Sequence, residues 1–323
     1  MFDLNLQKKR SIMNKKIRDF FDSKDYIEVF TPTLSDTLIP EVNIQNFQTK
    51  YVNEFLKDKD FFLIPSPEIF MKKILAETKE NIYQISSCFR NCEQIGHLHN
   101  PEFSMLEYYS IDFDEIDSIK LTEELLNHLK DEDTPKYALP PFDIISVKDA
   151  FDTFLNLDLD AYQNDADFRE KLRSLGHNPT EDEVWQDMFN RLFLQYVEPF
   201  LCKDKPLILK DYPKQIDCLA QVNGNYRRRW EMYINNVEIA NCYKEESSKA
   251  ASLIYYQEEI ERIRETRKGT NLPCPNIDLN FSSLDIPSSS GVAIGLDRLL
   301  MSLLGKKDLS NLILFPLQEM LNN

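Results

Sequence analysis

The sequence GVAIGLDRLLMSLLG, residues 291–305, is typical of a strand that passes directly into a helix. The helical part keeps its apolar side chains on one face, at positions Leu296, Leu299, Leu300 and Leu303. Gly291 and Gly295 bracket the step into the helix and allow the backbone to approach a ligand closely. Arg298 would lie in the first helical turn, where backbone N–H groups and a guanidinium can both bind phosphate. A plain strand-to-helix turn explains the glycines equally well.

Two segments upstream of this step predict an antiparallel pair of strands. Residues 81–90, NIYQISSCFR, and 102–110, EFSMLEYYS, are rich in aromatic and β-branched residues, and a polar loop separates them. Alternation along the second strand places Glu107 on the same face as Phe103 and Met105. A carboxylate among apolar side chains is costly unless a cation or donor pairs with it. Either an internal lysine or arginine or a cationic ligand would satisfy Glu107.

A hairpin is predicted in residues 230–243, WEMYINNVEIANCY, because the Asn-Asn pair at positions 235 and 236 suits the positive φ angles of a two-residue turn. The expected register sets Tyr233 opposite Glu238 and Glu231 opposite Ala240. Glu231 and Glu238 would then share a face and repel each other unless a cation lies between them. Mg²⁺ favours a few carboxylates together with substrate phosphates, although a solvated face explains the pair equally well.

The remaining segments predict an α+β fold in a single domain, residues 1–323. Residues 8–21 place apolar side chains on one face of a helix, and residues 26–30 follow as a short strand. Residues 114–204 are rich in helix formers and acidic side chains, so we expect a mostly helical insertion there. Residues 246–268 predict a long helix with basic residues near its end.

Composition and charge exclude several classes of protein. The 323 residues are 42% hydrophobic, which is enough for a sizeable core. The charged N-terminus has no apolar signal segment, and no later run is long enough to span a membrane, so we expect a cytoplasmic protein without membrane association. Six scattered cysteines favour reduced thiols over a disulfide framework. The net charge of −16 argues against tRNA as a partner, because nucleic-acid binding usually leaves a basic footprint.

Taken in chain order, these segments resemble the three motifs of class II aminoacyl-tRNA synthetases. The first motif is similar to the helix and strand ending at Pro32, and the second spans residues 89–109, FRNCEQIGHLHNPEFSMLEYY. The third is GVAIGLDR at 291–298, and IPSPE at 64–68 and VEIAN at 237–241 add to the match. Within the family, the resemblance is greatest to lysyl-tRNA synthetases and their truncated paralogues, the elongation factor P lysine ligases. It implies the class II catalytic core, an antiparallel sheet flanked by helices.

The resemblance implies ATP and Mg²⁺ as cofactors and lysine or (R)-β-lysine as the amino acid. The expected catalytic residues are Arg90, which would hold the α-phosphate and the substrate carboxylate, and Arg298, which would hold the terminal phosphates. The implied ATP-binding set is Arg90, Asn91, Glu93, His99, Asn100, Phe103, Glu231, Glu238 and Arg298, with the metal on Glu231 and Glu238. The implied substrate-binding set is Ser66, Glu68, Glu107, Tyr109, Asn241, Glu245, Ala293 and Gly295.

Within the substrate-binding set, the resemblance assigns each end of the amino acid to different carboxylates. Glu68 would meet the α-amino group, and Glu107 and Glu245 would meet the side-chain ammonium. This ligand is the cation that the position of Glu107 requires. The substrate carboxylate would attack the α-phosphorus of ATP, and no side chain need act as a nucleophile, because orientation and charge neutralisation drive the reaction.

Three features favour a protein acceptor over tRNA. Motif 1 begins almost at Met1, so we expect the N-terminal anticodon-binding barrel of the lysyl-tRNA synthetases to be absent. Ser66 and Ala293 resemble the ligases, whereas the synthetases usually have alanine and glycine there. The methyl group of Ala293 would crowd the amino-acid pocket, in agreement with the ligases' preference for (R)-β-lysine. The resemblance therefore implies a homodimer that transfers the amino acid to a lysine side chain of elongation factor P.

Two other functions stay open. One is a stand-alone enzyme that passes activated lysine to tRNA or to a small molecule. The other is a noncatalytic paralogue that only binds an amino acid. Intact Arg90, Glu231, Glu238 and Arg298 argue against the noncatalytic paralogue, because a regulatory protein does not need the full set of phosphate and metal ligands.

Several positions depart from the family pattern. The motif 2 loop is one residue longer, and His97 and Leu98 replace its basic residue. A zinc site is conceivable from Cys88, Cys92, His97 and His99, but the C-x3-C spacing is unusual for zinc. Cys242 replaces a glycine and is expected to narrow the pocket. The run Arg227–Arg229 is a candidate basic patch for an acidic protein partner.

Overall fold

The computed structural model describes residues 3–92, 96–201, 204–309 and 311–321. Its strands are β1 Ile27–Glu28, β2 Leu34–Ser35, β3 Gln48–Tyr51, β4 Lys59–Leu63, β5 Ile82–Phe89, β6 Glu102–Ile111, β7 Asp143–Ser146, β8 Leu207–Pro213, β9 Val222–Asn223, β10 Tyr226–Ile234, β11 Val237–Lys244 and β12 Ser289–Gly295. Its helices are α1 Leu4–Asp22, α2 Glu68–Thr78, α3 Glu115–Leu129, α4 Val147–Leu155, α5 Asp165–Ser174, α6 Trp185–Leu192, α7 Lys249–Arg267, α8 Leu296–Leu303 and α9 Leu317–Leu321.

The main sheet has the strand order β1-β5-β6-β12-β11-β10-β8-β7, with β9 on the side of β10. All neighbours are antiparallel except the outermost pairs, β1 with β5 and β7 with β8, which are parallel. Parallel neighbours require a crossover connection, and the helices α4 to α6 supply one between β7 and β8. A smaller sheet has the order β2-β4-β3. The predicted α+β fold with an antiparallel sheet and flanking helices is confirmed, with parallel strands only at its edges.

The two faces of the main sheet differ in polarity, as alternation along β6 predicts. Leu106 and Tyr108 are fully buried in the main core, together with side chains of α1, α3 and α8. Phe103 and Glu107 project from the opposite face, where the strand lines open pockets. The predicted pairing of the two strands is also confirmed, because β5 and β6 are antiparallel neighbours over their whole length. One face of the sheet therefore packs in the main core, and the opposite face lines the pockets.

The β10–β11 hairpin turns at Asn235 and Asn236, whose φ angles of 52° and 60° are positive as predicted. Tyr233 lies opposite Glu238, which confirms that part of the expected register. Glu231, however, lies opposite Asn241, so the expected pairing with Ala240 is wrong. The reason is a β-bulge in which β11 contributes one extra residue, Ile239, between the partners of Tyr233 and Met232.

The strand-to-helix step is anchored by Asp297 in the first turn of α8. Its Oδ1 forms a 2.6 Å salt bridge with Nη1 of Arg10 on α1, and its Oδ2 accepts a 2.7 Å hydrogen bond from the backbone N–H of Ser104. Asp297 is only 4% exposed. It therefore ties three elements together at the point where the sheet meets the helical layer.

Residues 115–201 contain α3 to α6 and the short strand β7, which the sequence did not predict. Helices α4 to α6 build a second core in which aromatic rings stack, including Phe151 on Phe189 and Phe168 on Trp185. This core reaches the main sheet through Tyr212 of β8 and Tyr233 of β10. The division into one domain with an insertion stays a prediction. Within the described residues, no helix has the length and apolar character needed to cross a membrane.

Asp297→Ala should lower the free energy of unfolding by about 3–5 kcal/mol, because it leaves a largely buried guanidinium and a backbone N–H without their partner. Denaturant unfolding monitored by circular dichroism measures this change. Lys120→Ala is the matched control, since its ion pair with Asp117 is solvent-exposed and should contribute at most about 1 kcal/mol. Equal effects of the two substitutions would contradict the anchoring role of Asp297.

Candidate active site

The first pocket on the open face of the sheet lies between two arginines. Arg298 donates from Nε to the carbonyl oxygen of Leu98 and from Nη1 to that of Glu238, both at 3.0 Å. Arg90 follows β5 and lies with its guanidinium 5.3 Å from the ring centroid of Phe103. We call this cavity, which Arg90, Phe103, Glu238 and Arg298 line, the arginine pocket. Two fixed guanidiniums at one cavity can bind an extended anion.

A second pocket adjoins the first along the strands. Carboxylates contribute to its wall from four separate segments, at positions Glu41, Glu68, Glu107 and Glu245. We call it the acidic pocket. The two pockets share the side chains of Arg90, Met105, Asn241 and Ala293. A ligand with one anionic end and one cationic end would fit across this boundary.

Glu107 is held by neutral donors. The hydroxyl of Ser66 donates to Oε2 at 2.7 Å, and that of Tyr109 donates to Oε1 at 2.6 Å. No lysine or arginine in the described ranges forms a salt bridge with this carboxylate, although it is only 3% exposed. Burial and the neighbouring Glu68 raise the pKa of Glu107 to about 8. Neither a bonded internal cation nor a solvated position therefore explains Glu107, whose bonded partners are the two hydroxyls.

Lys72 on α2 does not line this pocket, but it contacts two of the carboxylates that do, and the sequence interpretation missed it. Its Nζ lies 2.5 Å from Oε1 of Glu68 and 2.6 Å from Oε2 of Glu245. Lys72 is 3% exposed, and these two carboxylates raise its pKa despite burial. Burial raises the pKa of Glu245 to about 7, an effect that Lys72 partly offsets. The i,i+4 spacing of Glu68 and Lys72 on one helix was the signal that could have identified the pair.

The carboxylates of the β10–β11 hairpin form a second charged group. Glu231 accepts hydrogen bonds from Arg229 and, at 2.7 Å, from the hydroxyl of Tyr233. Burial and the nearby Glu231 raise the pKa of Glu238 to about 7. The described part of the chain holds no group of three or more His, Cys, Asp or Glu placed to bind a metal. Two repelling carboxylates fit Mg²⁺, which needs few protein ligands when phosphates supply the others.

With this geometry established, the comparisons with known proteins identify the family. Residues 4–319 match the family model described as "tRNA synthetases class II (D, K and N)". The chain belongs to this class II synthetase family. It is 33% identical to the Elongation factor P--(R)-beta-lysine ligase of Haemophilus ducreyi, with 96% of this chain and 93% of the relative covered. The protein of the same name from Yersinia enterocolitica is 34% identical, with 97% and 94% covered. A homolog of this ligase from Aquifex aeolicus is 33% identical, with 91% and 94% covered.

Most of the residues predicted for this class II synthetase chain line the two pockets. The arginine pocket contains the predicted Arg90, His99, Asn100, Phe103, Glu238, Asn241, Ala293, Gly295 and Arg298. The acidic pocket contains Ser66, Glu68, Arg90, Glu107, Tyr109, Asn241, Glu245 and Ala293. Gly295 thus lies with the ATP-binding set rather than with the substrate-binding set.

Two predicted ATP-binding residues line neither pocket. Asn91 lines neither pocket, and its side chain accepts a 2.9 Å hydrogen bond from the backbone N–H of Cys92. Glu231 lies behind Glu238 and is not part of either wall. Glu93 falls outside the described residues.

The directions in which side chains point correct two further expectations that came from the sequence. Cys242 is fully buried in the main core, on the face opposite the pockets, where its Sγ contacts Oγ of Ser290 at 3.1 Å. It therefore does not narrow the amino-acid pocket. In the run Arg227–Arg229, each guanidinium is engaged internally, with Asp217, with Asp114 and Glu115, and with Glu231 respectively. The run is an ion-pair network and not a basic patch offered to a partner.

The thiols of the zinc hypothesis lie in different environments. Cys88 is fully buried in β5, and burial raises its pKa to about 12. Cys92 is exposed.

We expect the ligand-free protein to lose stability as the pH rises from about 5.5 to about 8.5. Glu41, Glu238 and Glu245 have pKa values raised to about 7, and Glu107 to about 8, against 4.5 ordinarily. The folded chain therefore holds more protons than the unfolded chain in this interval, and its free energy of unfolding falls with pH. Thermal melts across the interval measure this decrease.

Glu107→Gln should make the fall of the free energy of unfolding with pH smaller, because the amide does not titrate. Glu77→Gln, at an exposed site on α2, should leave it unchanged. A melting temperature that is constant or rises over this interval would contradict the assignment of buried, unmatched carboxylates to the acidic pocket.

Proposed function

We propose that this protein uses ATP to activate (R)-β-lysine, or lysine, as the adenylate and transfers it to a lysine side chain of elongation factor P. The observation that carries the proposal is the junction of the two pockets at Arg90. An anion-binding cavity and a carboxylate-lined cavity meet there, as the joining of ATP to a diamine acid requires. The names of the relatives support the same reaction.

The arginine pocket is proposed to bind ATP. Arg90 faces both pockets and would hold the α-phosphate and the substrate carboxylate together, while Arg298 would hold the terminal phosphates. Phe103 offers a flat apolar surface for adenine. The substrate carboxylate then attacks the α-phosphorus, the bond to pyrophosphate breaks, and a mixed anhydride remains. The chain contributes orientation of two anions that otherwise repel each other and compensation of the charge that develops.

Glu238 and Glu231 are proposed to hold Mg²⁺. When bound, the metal would neutralise charge on the phosphates. Arg229 holds Glu231 in place: its guanidinium lies 4.4 Å from the ring centroid of Tyr212 and 5.5 Å from that of Tyr243. Both oxygens of Glu231 accept hydrogen bonds, from Arg229 and from Tyr233, so a metal would share this carboxylate with them.

The acidic pocket is proposed to select a diamine acid. Glu107 and the hydroxyls of Ser66 and Tyr109 form an acceptor site for an ammonium group at some distance from Arg90. Glycine is required at position 291 in this wall, because a Cβ there would lie 2.4 Å from Oε1 of Glu245 and 2.6 Å from the ring of Tyr109. A substrate that is uncharged at this end would leave buried carboxylates without a cation.

The acceptor, the assembly and the compartment are proposed from the names of the relatives, the net charge and the family resemblance. Elongation factor P is the acceptor in the names of the relatives, and the net charge of −16 argues against tRNA. The docking surface has to lie outside Arg227–Arg229, since those guanidiniums are engaged internally. A cytoplasmic homodimer follows from the family resemblance.

ATP–pyrophosphate exchange with lysine and (R)-β-lysine, followed by transfer of label to elongation factor P or tRNA, tests the proposal. We expect exchange and labelling of the protein acceptor. Arg298→Ala should reduce exchange by about 10²-fold or more, because one preorganised cation at the phosphates is lost. Lys120→Ala, on a remote exposed helix face, is the control. No exchange with any lysine isomer would refute the activation step, and labelling of tRNA alone would refute the acceptor.

Ala293→Gly should shift the preference of the exchange reaction from (R)-β-lysine toward lysine. Ala293 lies on β12 between Glu107 and Asn241 and faces both pockets, so its methyl group occupies the boundary at which the amino acid bends toward ATP. The ratio of kcat/KM values for the two isomers measures the shift. An unchanged ratio would show that this methyl group does not select the isomer.

A further inference from the structure

The acidic pocket contains more carboxylates than the family resemblance assigns. The family resemblance assigns the amino group near the substrate carboxylate to Glu68 and the distant ammonium to Glu107 and Glu245. In the structure, however, Lys72 lies within 2.6 Å of both Glu68 and Glu245. Lys72 contacts one oxygen of each carboxylate, Oε1 of Glu68 and Oε2 of Glu245, and offsets part of their charge.

Glu41 is the carboxylate that no family assignment covers. It lies on the loop before β3 and lines the acidic pocket beside Glu68 and Arg90. Burial together with Glu68 raises its pKa to about 7, and Arg90 partly offsets this rise. Within the described ranges, its side chain has no salt bridge or hydrogen bond to a protein group. Glu41 and Glu107 are therefore the two carboxylates of the pocket that are not tied to Lys72.

The position of Arg90 separates the roles of these two carboxylates. Arg90 lines both pockets and marks where the substrate carboxylate meets the α-phosphate. An amino group on the second or third carbon of the chain lies close to that carboxylate, and therefore on the Arg90 side of the pocket. Glu41 and Ile44 of its loop line the pocket together with Arg90, whereas Glu107 is bonded to Tyr109 and Ser66.

The loop that carries Glu41 is held in place by several contacts. The backbone N–H of Val42 donates to Oε2 of Glu259 at 2.8 Å, and Nη2 of Arg267 donates to the carbonyl oxygen of Ile44 at 2.9 Å. The backbone N–H of Asn91, next to Arg90, donates to the carbonyl oxygen of Gln45 at 2.8 Å. The loop is thus fixed relative to both α7 and Arg90, so Glu41 can meet a ligand without a large loss of backbone entropy.

We propose that Glu41 is a further substrate-binding residue, which receives the amino group nearest the carboxylate of the diamine acid, while Glu107 receives the distant ammonium. Lys72 offsets one of the two negative charges of Glu68 and Glu245, and Glu41 adds, beside Glu68, a carboxylate that forms no salt bridge within the described residues. The inference rests on the proposed function for the identity of the substrate. It assigns the recognition of this amino group to a residue outside the three sequence motifs.

Titration calorimetry with lysine, (R)-β-lysine and 6-aminohexanoic acid tests the assignment, in the presence of an ATP analogue that cannot be cleaved between its α- and β-phosphates. The third compound keeps the carboxylate and the distant ammonium but lacks the nearby amino group. Glu41→Gln should weaken binding of the two diamine acids about 10-fold or more, since a charge-assisted hydrogen bond is lost. Binding of 6-aminohexanoic acid should change by no more than about 2-fold, because it never had the contact.

Glu259→Ala is the matched control, because it removes the acceptor of the Val42 N–H and loosens the same loop without removing a pocket carboxylate. It should affect all three compounds to a similar degree. If Glu41→Gln also weakens all three equally, Glu41 only orients Arg90 or the loop, and the assignment is overturned. If Glu41→Gln changes the affinity for none of the three compounds, Glu41 does not contact the substrate.

The calorimetric result is independent of catalysis. If wild-type protein binds the diamine acids but catalyses no pyrophosphate exchange, the proposed activation step fails while the Glu41 assignment is still decided by the three affinities. If wild-type protein binds neither diamine acid, both the substrate and the Glu41 assignment are refuted.

Discussion

The alternation of side chains along the central strands is the constraint on which the site depends. On β6, Leu106 and Tyr108 enter the core, and Phe103 and Glu107 therefore must face the other way. The same alternation holds on β11 and β12, where Cys242 and Val292 are buried in the core and Asn241 and Ala293 face the pockets. One apolar face stabilises the sheet against its helices, and this leaves the opposite face available for charged residues.

On that open face, positive and negative side chains occupy different positions along the strands. Guanidiniums lie at the ends of β5 and β12, and carboxylates lie deeper along the strands. Burial of a carboxylate is unfavourable, and neighbouring like charges add to the cost; both raise the pKa values of Glu107, Glu238 and Glu245. Lys72 offsets part of it from within the chain. The remainder is free energy that a cationic ligand would recover on binding to these carboxylates.

Local signals in the sequence were sufficient for most of the architecture. The turn at Asn235 and Asn236, the strand pair β5–β6 and the step from β12 into α8 all follow from patterns within a few residues. The bulge at Ile239 did not, because turn chemistry specifies where a hairpin reverses but not whether one strand contributes an extra residue farther on. The short strand β7 was missed for a related reason: its pairing with β8 is long-range, and its composition alone does not distinguish it from the helices around it.

The sequence by itself was enough to assign the motifs, the sheet faces and the candidate residues around Arg90, Arg298 and Glu107, since these depend on spacing along one chain segment. Only the tertiary structure placed Lys72 between Glu68 and Glu245, brought Glu41 beside Arg90 and turned Cys242 into the core. It also paired each arginine of Arg227–Arg229 with an internal carboxylate. These contacts join segments far apart in sequence, and ion pairs between distant segments leave no periodic pattern. Only the folded chain therefore shows which charged groups in the pocket have an internal partner of opposite charge and which do not.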